Sequence, residues 1–411
     1  MTTKNLIVSF SLICLSLPAK GISVQEAQDL ILHRNPTIKS ADQLYEAVEK
    51  EKQATRAARL PTIKLEYEKG RNQSADQPSA AQNSMIEVRA DLKNPFSHNA
   101  AQAGWELEQQ DIRLSQTAQK HTLLHSVRLA YFKACQLEYQ LASAQKILHS
   151  RQEERDLLQK KSYQERLPTL DRERIEQAFR KQQQVVDSLA ARKETYDIAI
   201  QKALQLPTSA ISLHTPLPEN FTLPTLGGKP KTPPILAQKA AVAGEKNQNL
   251  LQQERMKWTP DFFVSYQDGR REGELSTHAF LVGFSWALSA EPYYKQKALE
   301  LRMESGTLLY EQELQAQQAR ITQSLNQLKE TLTTLQSQGD IIRSSQKIAM
   351  ESRRQYQHGG IPIQMYHEDV RSWTQELDRA LELRYQAVEQ LADLSLATEE
   401  EDLFYQGIQL K

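Results

Sequence analysis

The sequence predicts a mainly α-helical chain with a small β part, built from long coiled-coil helical hairpins and four β-strands. Three observations carry this. The stretch from about Ser97 to about Glu165 has no proline and a single glycine, Gly104. At ~1.5 Å per residue it makes a helix on the order of 100 Å long. Its middle places Leu123, Val127, Ala130, Ala134, Leu137, Leu141, Ala144 and Leu148 at alternating threes and fours, so one narrow apolar seam faces a partner helix. Finally, the order helix, strand, strand, long helix, turn, helix occurs twice.

Residues 1–21 read as a secretory signal peptide: Lys4 in the n-region, an apolar stretch from Leu6 to Leu17, and Ala19-Lys20-Gly21 as the cleavage site. A lipoprotein start at Cys14 is disfavoured by the bulky Ile13 before it. The mature chain then carries one cysteine, Cys135, which excludes an internal disulfide and a cysteine-based metal site. A small packed residue on the long helix is the expected role of Cys135.

The first repeat covers 22–206. Ser23 and Glu26 form a capping box at its first helix, which breaks near Asn35-Pro36 and ends at Leu60-Pro61. The period then changes to two. Ile63, Leu65 and Tyr67 alternate with polar residues, and so do Ile86, Val88, Ala90 and Leu92, giving a β-hairpin over 61–92 with the polar stretch Arg71–Asn83 as its loop. The long helix over 97–165 and a second helix over 169–206 follow. Residues 207–234 hold seven prolines and Gly227-Gly228, an extended linker.

The second repeat, 235–398, restates this order. Its hairpin over 260–288 carries Phe262, Val264 and Tyr266, then Phe280, Val282, Phe284, Trp286 and Leu288. A long helix over 293–358 has its seam at Ile321, Leu325, Leu328, Leu332 and Leu335, Gly359-Gly360-Ile361-Pro362 breaks it, and a last helix runs over 362–398. An acidic tail, 399–411, finishes the chain. In each repeat the two shorter helices sum to about the length of the long one, so end to end they span it, and one chain supplies four helix tracks.

Lys+Arg and Asp+Glu both number 51, and this neutrality argues against a nucleic-acid binder held by charge. No run after the leader is long and apolar enough for a membrane-spanning helix. The strands are another matter. Segments of their length cross a bilayer when tilted, yet four cannot close a barrel and open edges do not sit in lipid. Several chains must share one barrel; three would give twelve strands.

Leu60-Pro61-Thr62-Ile63-Lys64-Leu65, its echo Trp258-Thr259-Pro260-Asp261-Phe262-Phe263, the entry Asn35-Pro36 and the tip Tyr356-Gln357-His358-Gly359-Gly360-Ile361 resemble the outer membrane factors, the TolC-like outer-membrane efflux proteins. The resemblance covers essentially the whole mature chain. It implies a homotrimer whose 12-stranded β-barrel sits in outer-membrane lipid of a Gram-negative bacterium, above a long periplasmic α-barrel. It also implies partners, a periplasmic adaptor protein and an inner-membrane transporter, for tripartite efflux or type I secretion. The tip Gly359, Gly360, Ile361 and Pro362, with Leu167 and Pro168 of the first repeat, would dock the adaptor; the first-repeat tip lacks the family's glycine. Asp369 lies at the family's offset for an acidic pore-constriction residue, and Tyr366 stands where a second acidic residue is expected. A ring of carboxylates there favours cations.

Phe280, Phe284, Trp286 and Tyr67 fit a lipid-facing strand surface with interfacial aromatics. His121 and His125 are spaced i, i+4, but no third metal ligand is evident. The sequence shows no Walker loop, no HExxH and no G-x-S-x-G, so no catalytic residue, cofactor or metal is assigned. The competing reading is a coiled-coil scaffold of the periplasm with no pore, which has no need of two matched apolar-faced hairpins. A periplasmic adaptor would instead show a lipoyl-like β-domain and a single helical hairpin.

Overall fold

A computed structural model describes residues 22–57, 62–74, 77–92, 95–162, 169–204, 216–224, 233–257, 261–271, 277–285 and 290–408. The leader, Trp286, Leu167 and Pro168 fall outside these residues, as does most of 207–234. In chain order the elements are α1 (Val24–Arg34), α2 (Pro36–Ala57), β1 (Thr62–Ser74), β2 (Gln77–Leu92), α3 (Pro95–Ser162) and α4 (Thr169–Leu204). Then follow α5 (Ile235–Met256), β3 (Asp261–Arg271), β4 (Thr277–Ser285), α6 (Glu291–Gln357), α7 (Ile363–Thr398) and α8 (Glu401–Gly407). The chain divides into two compact units, with α3 and α6 contributing to both.

The first unit comprises residues 1–35, 121–228 and 320–411. The capping box at Ser23 forms: the Glu26 amide donates to Ser23 Oγ at 3.2 Å and the Ser23 amide to Glu26 Oε2 at 2.8 Å. Asn35 caps α1 in an extended conformation, the one its following proline imposes. The core gathers Val24, Ile31, Val127, Tyr131, Phe132, Leu204, Leu391 and Phe404. On α3 the buried set is broader than a single seam. Leu124, Arg128, Tyr131, Phe132, Cys135 and Gln136 are buried, while Leu123, Ala130, Leu141 and Leu148 are half-buried. The helix has neighbours on two flanks there, α1 and α4 on one hand and α7 and α8 on the other, so a one-partner heptad describes only part of its burial. Cys135 is buried, and desolvation pushes its thiol up to about 12.

The chain after Thr398 is not a plain acidic tail. Glu399 takes a left-handed conformation, φ 59°, and reverses the chain into α8. Leu403 and Phe404 then enter the core. Gly407 meets Leu391 so closely that a Cβ there would lie 2.3 Å from Leu391 Cδ2. A short bridge joins Ile408 to Phe221, and the Thr222 amide donates to the Gly407 carbonyl at 3.0 Å. Within the proline-rich stretch, residues 216–224 are therefore tied down, with Leu217 buried.

The second unit comprises residues 36–120 and 229–319. Here α2 and α3 run antiparallel, joined by a polar ladder. Trp105 Nε1 donates to Thr55 Oγ1 at 2.9 Å, Gln109 to Glu49 at 2.7 Å, Arg113 to Tyr45 at 2.6 Å and Gln116 to Asp42 at 2.7 Å. Lys246 of α5 lies 2.8 Å from both Glu108 and Asp111 of α3. The four strands form one antiparallel sheet in the order β1-β2-β3-β4.

Strands β1 and β2 are longer than their alternating segments. The pairing runs on to Ser74↔Gln77, through the polar residues expected to form a loop. Any residue with a backbone donor and acceptor can extend a ladder; period-two patterning reports the burial of one face, and the sequence of these residues has no such pattern. Pro78 is tolerated because β2 pairs with β3 only from Asn83 onward and so has one free side at that point.

Candidate functional site

In the second unit the pairing register assembles one apolar face. Tyr266 stands between Val88 and Phe280, Val264 opposite Val282, and Phe262 opposite Phe284. Phe280, Val282 and Phe284 are 69, 68 and 67% exposed, and Phe262, Tyr266 and Ile86 on the same face are exposed as well. Such a contiguous patch marks an interaction surface. Tyr67 lies in β1 opposite Ser84. On the reverse face Arg89 covers the Phe263 ring at 4.5 Å and Ser265 is buried. Among the described residues strands β1 and β4 each pair on one side only. No helix among the described residues is long and apolar enough to cross a membrane.

In the first unit the turn between α6 and α7 is built by its glycines. The Gly360 amide donates to the Gln355 carbonyl at 2.8 Å and the Gly359 amide to the Tyr356 carbonyl at 3.0 Å. This 6→1 and 5→2 pair is a Schellman motif, and it needs the left-handed residue that Gly359 supplies at φ +76°. Pro362 caps α7, and Ile363 beside it is buried.

Just beyond the turn a cluster joins α3, α6 and α7. His367 Nε2 lies 3.3 Å from Glu154 Oε2, to which Arg151 Nη1 donates at 3.0 Å. Burial raises the Glu154 pKa, but the His367 bond, the Arg151 charge and the Tyr366 hydroxyl lower it by more, so the net shift is downward. Tyr366 stacks on Tyr356 with centroids 5.6 Å apart. Burial, then the Glu154 charge, pushes its phenol up to about 12. Asp369 is half-buried and accepts from Ser352 Oγ of α6. Tyr366 is packed inside this cluster at 4% exposure, and Asp369 lies about one turn further along α7. Glu154, Arg151 and His367 were missed in the sequence. The i, i+3 spacing of Arg151 and Glu154 signals their mutual pairing, but nothing in it announces a histidine more than two hundred residues later.

His125 Nε2 is 2.7 Å from Asp393 Oδ1, and burial lowers the pKa of His121. Among the described residues no group of three His, Cys, Asp or Glu is placed to hold a metal ion.

No protein-family model matches the chain, and no curated protein does. Solved structures do. The Neisseria gonorrhoeae MtrE outer membrane channel in its open state superposes with a TM-score of 0.79 at 18% identity, over 91% of this chain and 88% of that one. The structure of CusC gives 0.78 at 16% identity, over 91% of each chain. The Campylobacter jejuni CmeC outer membrane channel gives 0.78 at 12%, over 94% of this chain and 87% of its own. At these identities the likeness carries architecture, and the chain has the TolC-like fold of these outer membrane channels.

Proposed function

We propose that the chain is the outer-membrane channel subunit of a tripartite efflux or type I secretion system. In this reading it is a passive duct, and a periplasmic adaptor and an inner-membrane pump deliver the cargo. The observation that carries the reading is the sheet, with its exposed apolar face and its two half-paired outer strands. Lipid tolerates neither unpaired strand edges nor open sheets. Single-chain barrels begin at about eight strands, so a four-stranded sheet must be completed by copies of itself. Three copies give twelve strands. Lengths of 9 to 16 residues suffice, since a tilted strand crosses with about 9–11. The helices then form the periplasmic duct, and most of the mass lies in the periplasm.

The α6–α7 turn, Gly359 to Pro362, is the docking tip for the adaptor, together with Leu167 and Pro168. Asp369 supplies a carboxylate ring at the constriction. Tyr366, packed against Tyr356 and Arg151, braces the helices that carry it and reaches the lumen only if the cluster opens.

The test is fractionation of cells expressing the chain with its own leader, followed by recording in planar bilayers. The reading expects a heat-modifiable outer-membrane species of three copies that conducts ions steadily. A water-soluble monomer without conductance overturns it in favour of a coiled-coil scaffold. In the same recordings Asp369→Ala reduces cation selectivity; unchanged selectivity removes Asp369 from the constriction.

A further inference from the structure

The first unit holds a groove of about 520 Å³, floored by α7 and walled by α3 and α6. Its volume falls within the range of small-molecule sites, about 300–1,000 Å³. The apolar surface comes from Trp373, Leu377 and Leu381, with Ile147 and Met350 facing them. The charged residues of the lining are Lys146, Arg151, Arg353 and Arg384, and no aspartate or glutamate joins them.

Two of these cations are already answered. Arg151 pairs with Glu154, and Arg353 lies 3.5 Å from Glu153. Among the described residues Lys146 and Arg384 have no carboxylate partner. An apolar floor beside the uncompensated positive charge of Lys146 and Arg384 is half of a binding site whose other half carries negative charge.

We propose that this groove binds an amphipathic organic anion. The apolar body lies along Trp373, Leu377 and Ile147, and the acidic group meets the terminal guanidinium nitrogens of Arg384 with Lys146 at the rim. A purely apolar ligand leaves that positive charge unanswered, and an amphipathic cation meets two unpaired like charges.

The test uses the purified mature protein in neutral maltoside micelles. It is titrated with 11-bromoundecanoate and, separately, with 11-bromoundecyltrimethylammonium, which has the same chain and the opposite charge. Quenching of tryptophan fluorescence is the readout. The acid produces a saturable component that the ammonium does not, and Trp373→Phe removes that component. Arg384→Gln raises the half-saturating concentration roughly tenfold, the scale of one charge-assisted hydrogen bond. If Arg384→Gln does not fold, the comparison of the two probes on the unaltered protein still decides. Equal quenching by acid and ammonium overturns the proposal, because the groove is then only apolar surface. So does an Arg384→Gln protein that binds the acid as before. Absence of saturable quenching by the acid also overturns it and leaves the groove to a helical segment of a partner protein.

Discussion

Phe404 and Phe280 are the same side chain with opposite fates. Phe404, on the seven-residue α8, is fully buried beside Phe132 and Tyr405, with the Arg128 guanidinium 4.5 Å from its ring centroid. Phe280, on the nine-residue β4, is 69% exposed, and its neighbours on the sheet face are exposed with it. The first unit completes its core within one chain. The second satisfies its helices with polar ladders and leaves an apolar face and two strand edges unmet. The contrast locates where the molecule needs something beyond itself: at the sheet and not at the helical core.

If this contrast is right, substitutions in the two places fail in different ways. Phe404→Ala removes a buried ring and leaves a cavity, at a cost of about 3–5 kcal/mol. The expected readout is a lowered unfolding midpoint of the whole chain in denaturant. A loss under 1 kcal/mol would mean that α8 is not part of the core. Val282→Arg, at the centre of the exposed row, costs about 2–4 kcal/mol if that face meets the bilayer interior. If the face stays in water the same change falls within about 0.5 kcal/mol. The amount of assembled protein in the outer membrane, measured by heat-modifiable gel mobility, separates the two outcomes.

A smaller effect, near 1–3 kcal/mol, is expected at Glu154, where one half-buried carboxylate answers Arg151 and His367. Because its folded pKa is depressed, its contribution is fully present above the unfolded value of about 4.5 and is lost as pH falls through the folded value. The stability gap between the unaltered protein and Glu154→Gln is therefore constant at neutral pH and closes below about 4.5. A gap that persists at pH 3 would assign the effect to packing instead of charge.

Much of this was legible in the chain because the signals are local. The capping box at Ser23, the break at Asn35-Pro36, the alternation in β3 and β4 and the glycine pair at the α6–α7 turn each occupy a few consecutive residues. What escaped depends on distance or on missing pattern. The outer parts of β1 and β2 are polar on both sides, so pairing left no period to read. The end of the chain was masked by Glu399 to Asp402, whose charge hid the Leu403-Phe404 pair behind it. On α3 the heptad was visible, but Arg128 and Gln136 lie outside it and have polar side chains, so no pattern marks them as buried. They are buried because a second flank of the helix is also covered, by α7 and α8. The Glu154–His367 contact joins α3 to α7 across most of the chain, and no spacing encodes it.

The central claim is that β1 and β4 are the seams along which copies join. It is tested most directly by cysteine pairs in the membrane-embedded protein, one at Glu66 on β1 and the other at Ala279 or Leu281 on β4, oxidised and resolved by denaturing electrophoresis. The account predicts covalent species that end at three copies for at least one pair, with none when either cysteine is omitted. Cross-links confined to single chains, or a ladder that continues past three, would contradict it.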